Sequence, residues 1–482
     1  MAKITNRSVA TNFIWRFAER TGAKMVSFVV SMILARILAP EHYGTIALVT
    51  VITHILQVFV DSGMGNALIQ KKDADELDFS TVFYFNIFLC GILYTGVFVF
   101  APLIAKFYND ITLIPVIRVL SLTIVISGVK NVQQAYVSRT MQFKRFFFAT
   151  LGGTIGAAVM GIAMAYMGFG VWALVSQQLF NVTIDTIVLW MTVKWRPRKQ
   201  FSFQRLKGLY SFGWKLLVSS LLETVYQNMR QLIIGKIYST ENLAYYNRGS
   251  QFPSLIITNI NSSIDSVLMP ALSNEQDNVE KVRNMTRRSV KTSIYIIAPL
   301  MIGLAACGTP LVRLLLTEKW LPAVPYLRIF CISFMLYPVH TTNLNAIKSM
   351  GKSDIYLRME IIKKVIDVVL LLATMWHSVM AMAYSLLISD VISLYINCNP
   401  NKKLINYGFF DQLKDILPGI LLTIIMGVCV SMVEVLGLPD ILTLMIQVAV
   451  GAAIYIGVSA LLKLDSFMYI WNMIKCFGKR KG

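Results

Sequence analysis

Charged and amide side chains recur inside oily stretches of this chain, and their spacing puts them on shared helical faces. Arg16, Arg20 and Lys24 stand at i, i+4 and i+8, one face of a helix, with Glu19 beside them. At about 1.5 Å of rise per residue, Lys24 lies roughly 21 Å from the end of its apolar run near Leu38. A second group comprises Lys215, Glu223, Gln227 and Arg230, with Arg230 about 12 Å from the end of its run at Tyr238. Charges this deep in an apolar segment usually face a bundle interior or a wet cavity, where cations would hold an anion such as a phosphate. The competing readings are a snorkelling anchor for Arg16, Arg20 and Lys24, and an ion pair for Arg230 with Glu223 or with an acid on another helix.

Two further groups carry hydrogen-bonding and acidic chemistry. Lys130 and His340 are related by a shift of 210 residues, with Asn131, Gln133 and Gln134 around the first and Thr341, Asn343 and Asn345 around the second. Amides and hydroxyls of this kind bind sugar hydroxyls, or equally serve as helix–helix contacts worth about 0.6 kcal/mol each. His340 alone is more often a packing residue than a proton switch, although its titration range permits one. Asp61 and Asp265 occupy corresponding places, and Asp185, Asp367 and Asp390 lie in other apolar runs. Such carboxylates are candidates for coupling to sodium or a proton; Asp61, just ahead of Gly63 and Gly65, would otherwise shape a helix break. The six cysteines and four histidines show no spacing suited to a metal or a redox pair, so no cofactor is expected.

The elements that must position these residues are membrane helices. Of 482 residues, 56% are apolar and 15% charged, against roughly 25% charged in a soluble globular protein, and mean hydropathy is +0.62. Apolar runs long enough to cross about 30 Å of hydrocarbon fall near residues 12–38, 43–68, 79–103, 112–136, 146–167, 171–193, 212–238, 250–272, 289–312, 323–347, 361–376, 379–396, 413–436 and 441–462. Their length points to helices rather than barrel strands, so the fold class is all-α integral membrane with about fourteen transmembrane helices. Lys and Arg collect in alternate links: 71–72, 139–145, 194–207, 281–291, 348–358, 402–403 and the tail, 475–481. This positive-inside pattern puts both termini in the cytoplasm and accounts for most of the +20 net charge, which is therefore not read as a nucleic-acid footprint. The polar, basic first eleven residues and the long run after them do not form a secretory signal.

A weak internal repeat organises the chain. Residues 33–37 (ILARI) match 233–237 (IIGKI), 102–106 (PLIAK) match 310–314 (PLVRL), and Pro115 with Arg118 match Pro325 with Arg328. The first six runs are thus repeated in order and orientation by the next six. The expected layout is an N-terminal six-helix bundle (1–195), a basic linker (196–211), a second bundle (212–398), two accessory helices (399–465) and an amphipathic basic tail (466–482). Parallel repeats of this kind mark transporters, in which two bundles rock about a central path.

These residues resemble a known family. Stretches 34–44 (LARILAPEHYG), 61–70 (DSGMGNALIQ), 79–83 (FSTVF), 168–175 (GFGVWALV) and 195–198 (WRPR) look like polysaccharide flippases of the Wzx-like, colanic-acid-type branch of the multidrug/oligosaccharidyl-lipid/polysaccharide exporter superfamily. So do 234–236 (IGK), 246–248 (YNR), 269–273 (MPALS) and 319–325 (KWLPAVP) in the second half. The resemblance implies an undecaprenyl-diphosphate-linked oligosaccharide as substrate, moved across the bacterial inner membrane, with a functional link to a polysaccharide polymerase and chain-length machinery. The expected cavity set is Arg20, Lys24, Lys130, Lys215, Gln227, Arg230, His340 and Asn343, with Asp61 and Asp265 for ion coupling. A cation-coupled drug antiporter of the same superfamily would want acids to dominate that cavity. A polysaccharide polymerase would want a large outer loop and a catalytic constellation, and neither is present in the sequence.

Overall fold

Hydrocarbon offers the main chain no hydrogen-bond partners, so a chain with these runs must satisfy its backbone within helices. The computed structural model describes residues 6–61, 64–71, 73–140 and 143–479, with the side chains of 6–21, 66, 70, 143–149, 211–212, 473–474 and 476–479 outside that description. Two compact units result, Met1–Ala244 and Tyr245–Gly482. The first holds α1 (Asn6–Ile37), α2 (Pro40–Asp61), α3 (Met64–Gln70), α4 (Glu76–Tyr108), α5 (Leu113–Leu120), α6 (Leu122–Arg139), α7 (Phe143–Tyr166), α8 (Val171–Thr192) and α9 (Phe203–Ile237). The second takes most of α10 (Thr240–Asn274), then α11 (Val279–Ala306), α12 (Gly308–Leu316), α13 (Val324–Met335) and α14 (Tyr337–Ser349). It continues with α15 (Ser353–Thr374), α16 (Val379–Ile405), α17 (Phe409–Met432), α18 (Asp440–Leu461) and α19 (Asp465–Lys479).

Among the described residues, nine helical stretches are long and apolar enough to cross a membrane. They are Pro40–Asp61, Glu76–Tyr108, Leu113–Arg139, Thr240–Asn274, Val279–Ala306, Glu318–Ser349, Val379–Ile405, Phe409–Leu436 and Asp440–Leu461. The remaining runs read from the sequence fall in α1, α7, α8, α9 and α15. Polar residues dilute several of these: α8 carries Gln177, Gln178, Asn181 and Asp185, and α15 carries Glu360, Lys363, Lys364 and Asp367. Three runs expected to be unbroken are jointed instead, at Ser121, Cys307 and Leu336. The joint at Leu336 is followed by Pro338 in the first turn of α14, where a missing N–H does no harm.

The repeat is visible in detail. A two-residue link, 38–39, joins α1 to α2, and a two-residue link shifted by 200, 238–239, joins α9 to α10. Arg118 Nε donates to the Phe98 carbonyl at 3.2 Å, and its counterpart Arg328 donates through Nε to the Ala305 carbonyl at 3.3 Å. The fourth and tenth runs both break beyond these arginines, at Ser121 and at Leu336, three and eight residues on. Equivalent side chains thus hold equivalent helices in each unit.

Local signals set the helix ends. Asp75 caps α4 by accepting from the Asp78 N–H at 2.9 Å, while the Asp78 carboxylate accepts from the Asp75 N–H at 3.2 Å. Asn109, at φ 56°, closes the same helix in the left-handed region that asparagine tolerates. Several basic links are bound to neighbouring elements: Arg139 Nη1 donates to the carbonyls of Leu68, in the last turn of α3, and of Lys71 just after it, and Lys71 pairs with the fully buried Asp78 at 2.6 Å. The stretch read as a linker is partly helical, since α9 begins at Phe203 behind its Ser202 cap. Arg198 and Ser202 donate their N–H groups to Ser80 and Thr81, fastening it to α4. Phe79, Phe83, Trp195 and Leu189 form the apolar core beneath that junction.

Close packing of α2 against the α9–α10 link depends on glycine. A Cβ on Gly44 would sit 1.7 Å from the Thr240 carbonyl oxygen, and one on Gly235 would sit 2.4 Å from Leu48 Cδ1. Gly44→Ala is expected to destabilise the protein by about 1–3 kcal/mol or more, since the obstacle is main chain. Thermal unfolding in detergent measures this, and an unchanged midpoint would refute the close approach. The cap on α4 has a pH signature. The hydrogen bond from the Asp78 main chain holds the Asp75 carboxyl below its usual pKa. A depressed folded-state pKa stabilises above the unfolded value and is lost as pH falls through the folded one. Amide exchange at 76–79, corrected for its intrinsic pH dependence, is therefore expected to rise only below the ordinary carboxylate range.

Candidate functional site

Three helices of the first unit each present a polar stripe, and the stripes converge on one cavity. On α2 the stripe is Thr50, Thr53, His54, Gln57 and Asp61, at positions i, i+3, i+4, i+7 and i+11 of one helical face. From the next run come Thr123, Ser127, Lys130 and Gln134, again at intervals of three or four. On α8 Gln177, Gln178 and Asn181 complete the wall. The enclosed volume is about 530 Å³, within the range of sites for small molecules.

Its charges are matched. Lys130 Nζ lies 2.8 Å from Asp185 Oδ2, with both side chains largely buried. Asp61 Oδ1 accepts from Gln57 Nε2 and from Asn131 Nδ2, each at 3.0 Å, and Asn86 Nδ2 lies 3.4 Å from Asn131 Oδ1. Gly65 admits this arrangement, because a Cβ there would meet Asn131 Oδ1 at 2.9 Å. The cavity is therefore rich in amides and hydroxyls, with one lysine already neutralised. Of the basic residues expected to line a cavity, Lys130 is the one among the described residues that lines this pocket. Such a surface suits a polyhydroxylated ligand.

The other expected site residues are distributed differently. The side chains of Arg16, Glu19 and Arg20 lie outside the described residues. Lys24 and Lys215 are exposed, and neither lines this cavity. Gln227 is exposed and donates to Glu223 Oε1 at 2.8 Å, while Arg230, one turn further on, is buried. Asp265 is exposed on α10. In the second unit, His340 Nδ1 lies 2.8 Å from Asn397 Nδ2. Asn343 is fully buried: its Oδ1 accepts from Asn401 at 2.6 Å and from Gln412 at 2.8 Å, and its Nδ2 donates to Gln412 Oε1 at 2.8 Å. These amides fasten α14, α16 and α17 to one another. Asp415 of α17 adds a two-pronged pair with Arg287 of α11, both bonds 2.6 Å.

Sequence reasoning missed most of the cavity wall. Thr50, Thr53, His54 and Gln57 were legible as a polar stripe through an apolar run, as were Gln177, Gln178 and Asn181, but they carry no formal charge to draw attention. Among the described residues no group of His, Cys, Asp and Glu could hold a metal, and Cys90, Cys307, Cys331, Cys398 and Cys429 are unpaired.

The architecture is all-helical and multi-pass, with a polar pocket in its first unit. Solved structures agree on that fold. A lipid II flippase, MurJ, in an inward closed conformation aligns with TM-score 0.73 at 14% identity, covering 94% of this chain and 99% of that one. An inward-facing multidrug-resistance MATE transporter of the MOP superfamily aligns with TM-score 0.59 at 16% identity, over 83% and 94% of the two chains. Residues 33–325 match the family model described as polysaccharide biosynthesis protein, and the chain belongs to that family. It is 24% identical over 353 residues to the succinoglycan biosynthesis transport protein ExoT of Rhizobium meliloti (strain 1021), covering 73% of this chain and 71% of that protein. It is 23% identical over 333 residues to the lipopolysaccharide biosynthesis protein WzxC of Escherichia coli (strain K12), covering 69% and 68%. Its class is therefore that of membrane transporters of polysaccharide biosynthesis, not enzymes.

The Lys130–Asp185 pair sets a testable energetic asymmetry. Lys130→Ala alone leaves a buried carboxylate and is expected to cost about 3–5 kcal/mol, whereas Lys130→Met with Asp185→Leu is expected to recover most of it. Unfolding midpoints of the two purified variants compare directly. Equal losses would show that the pair is not the buried unit described.

Proposed function

We propose that this protein is a flippase that carries an undecaprenyl-diphosphate-linked oligosaccharide across the bacterial inner membrane by alternating access, supplying a surface polysaccharide. One observation carries the reading: a cavity walled by hydroxyls and amides from three helices of the first unit. A glycan head is very costly to place in hydrocarbon, and a wall of this chemistry replaces the water that it leaves. Family membership supports the same role. In this reading Arg20, Lys24 and Arg230 attract the diphosphate, Gln178 and Asn181 face the sugar, and Asp61 binds the sodium ion or proton that drives the cycle. The Lys and Arg bias supports fourteen spans with both termini in the cytoplasm, and the polymerase and chain-length machinery would receive the flipped unit.

Gln178→Leu with Asn181→Leu is expected to abolish export of the cell's surface polymer while leaving insertion intact. Arg230→Ala is expected to do the same. Polymer on the cell surface and lipid-linked intermediate in isolated inner membrane are the readouts. Full export by the double variant would remove this cavity from the path, and full export by Arg230→Ala would remove that arginine.

A further inference from the structure

Helix α10 carries a polar face inside the apolar run at 250–272. Asn259, Ser262, Ser263, Ser266 and Pro270 stand at i, i+3, i+4, i+7 and i+11, one side of the helix, and all five are exposed. Asp265 borders that face one turn from Ser262 and is exposed as well. The stretch belongs to a helix long and apolar enough to cross a membrane, Thr240–Asn274.

What this face offers a visitor is almost entirely hydrogen-bond acceptors. Ser262 and Ser263 donate their hydroxyl hydrogens to the Asn259 carbonyl at 3.0 and 2.9 Å, and Ser266 donates to the Ser263 carbonyl at 2.9 Å. Asn259 Nδ2 donates to the Leu255 carbonyl at 2.9 Å. With those hydrogens committed, the serine oxygens and Asn259 Oδ1 still have lone pairs to give. Pro270 adds a main-chain acceptor, because it has no N–H for the Ser266 carbonyl four residues earlier. Asp265 adds a carboxylate.

Lipid has no donors for such groups, so a carboxylate and a released carbonyl in a spanning helix belong on a water-filled side. Two kinds of ligand bring what acceptors lack: a cation, or a chain of hydroxyls. A cation gathers its oxygens within about 2.6 Å of one point. Here the acceptors are strung out, since Asn259 and Pro270 are about 16 Å apart along the helix axis. The hydroxyls of a glycan come in series and fit that spread. A diphosphate finds nothing to hold it, because no Lys or Arg occurs between Arg248 and Lys281, and Asp265 repels it.

We propose that this face of α10 holds the sugar portion of the lipid-linked oligosaccharide, accepting its hydroxyl hydrogens in succession, and leaves the diphosphate to other residues. The inference rests on the flippase reading and adds to it a sugar-binding surface in the second unit.

Ser262→Cys and Ser266→Cys, each made in the full-length protein in lipid vesicles, test this with a charged thiol reagent supplied on both sides of the membrane. Both are expected to react well above the parent protein, whose Cys90, Cys307, Cys331 and Cys398 are buried. The probe is the undecaprenyl-diphosphate-linked oligosaccharide extracted from a strain deleted for the gene. At about ten times its Kd it is expected to slow labelling of both cysteines roughly tenfold. Undecaprenyl diphosphate alone is expected to leave the rate unchanged. Unreactive cysteines would put the face in lipid or in packing, and equal protection by undecaprenyl diphosphate would assign it to the wrong end of the substrate; either result overturns the proposal. A deletion strain that builds up no such intermediate sinks the flippase reading and this inference with it. Build-up without protection sinks this inference alone.

Discussion

A polar group taken out of water and given no partner costs more than any single contact in this protein returns. Main-chain groups meet that demand inside helices. Side chains meet it in two other ways. Some pair with one another in the interior, as Lys130 does with Asp185 and Lys71 with Asp78. Others line a cavity that water can enter, as Gln134, Gln178 and Asn181 do. The second solution leaves hydrogen-bonding capacity that a visiting ligand can take up, and the first does not. This difference separates the polar residues that build the scaffold from those that can act.

The same distinction explains how much was legible in the sequence. Run length and charge bias are properties of whole segments, so helices, multi-pass character and repeat order could be read directly. The motif pair 33–37 and 233–237 even located the matching two-residue links. Site residues are harder, because a one-dimensional reading ranks them by formal charge. Lys130 and Asp61 were found, but the uncharged walls at Thr53 and Gln177 were not. Asn343 looked identical in kind to the wall residues and proved to be bonded on both sides to Asn401 and Gln412. Whether an amide faces a cavity or another amide depends on which helices become neighbours, and spacing within one helix carries no information about that.

The joints at Ser121 and Leu336 were also invisible to hydropathy, since apolar residues continue through them. Each joint follows an arginine bonded to a carbonyl of an earlier helix, but by three residues in one unit and eight in the other, so the anchor is matched more closely than the break. Relatives at 23–26% identity align with 63–73% of this chain despite extensive side-chain divergence. Such divergence is tolerable where each unit needs only an apolar exterior and satisfied polar groups within.

The amide triad of Asn343, Asn401 and Gln412 has a consequence for how such chains can shorten or grow. Helix α17 has no counterpart in the twelve-run repeat, yet Gln412 supplies it with two hydrogen bonds to Asn343 and one to the carbonyl of Tyr407. A chain stopping at residue 405 would keep the Asn401–Asn343 bonds but deprive Asn343 of the two that Gln412 makes with it. The terminal pair of helices is therefore not a detachable appendix. Its loss in any descendant calls for a change at Asn343, the residue that Gln412 satisfies, and that change is the scar such an ancestry would leave.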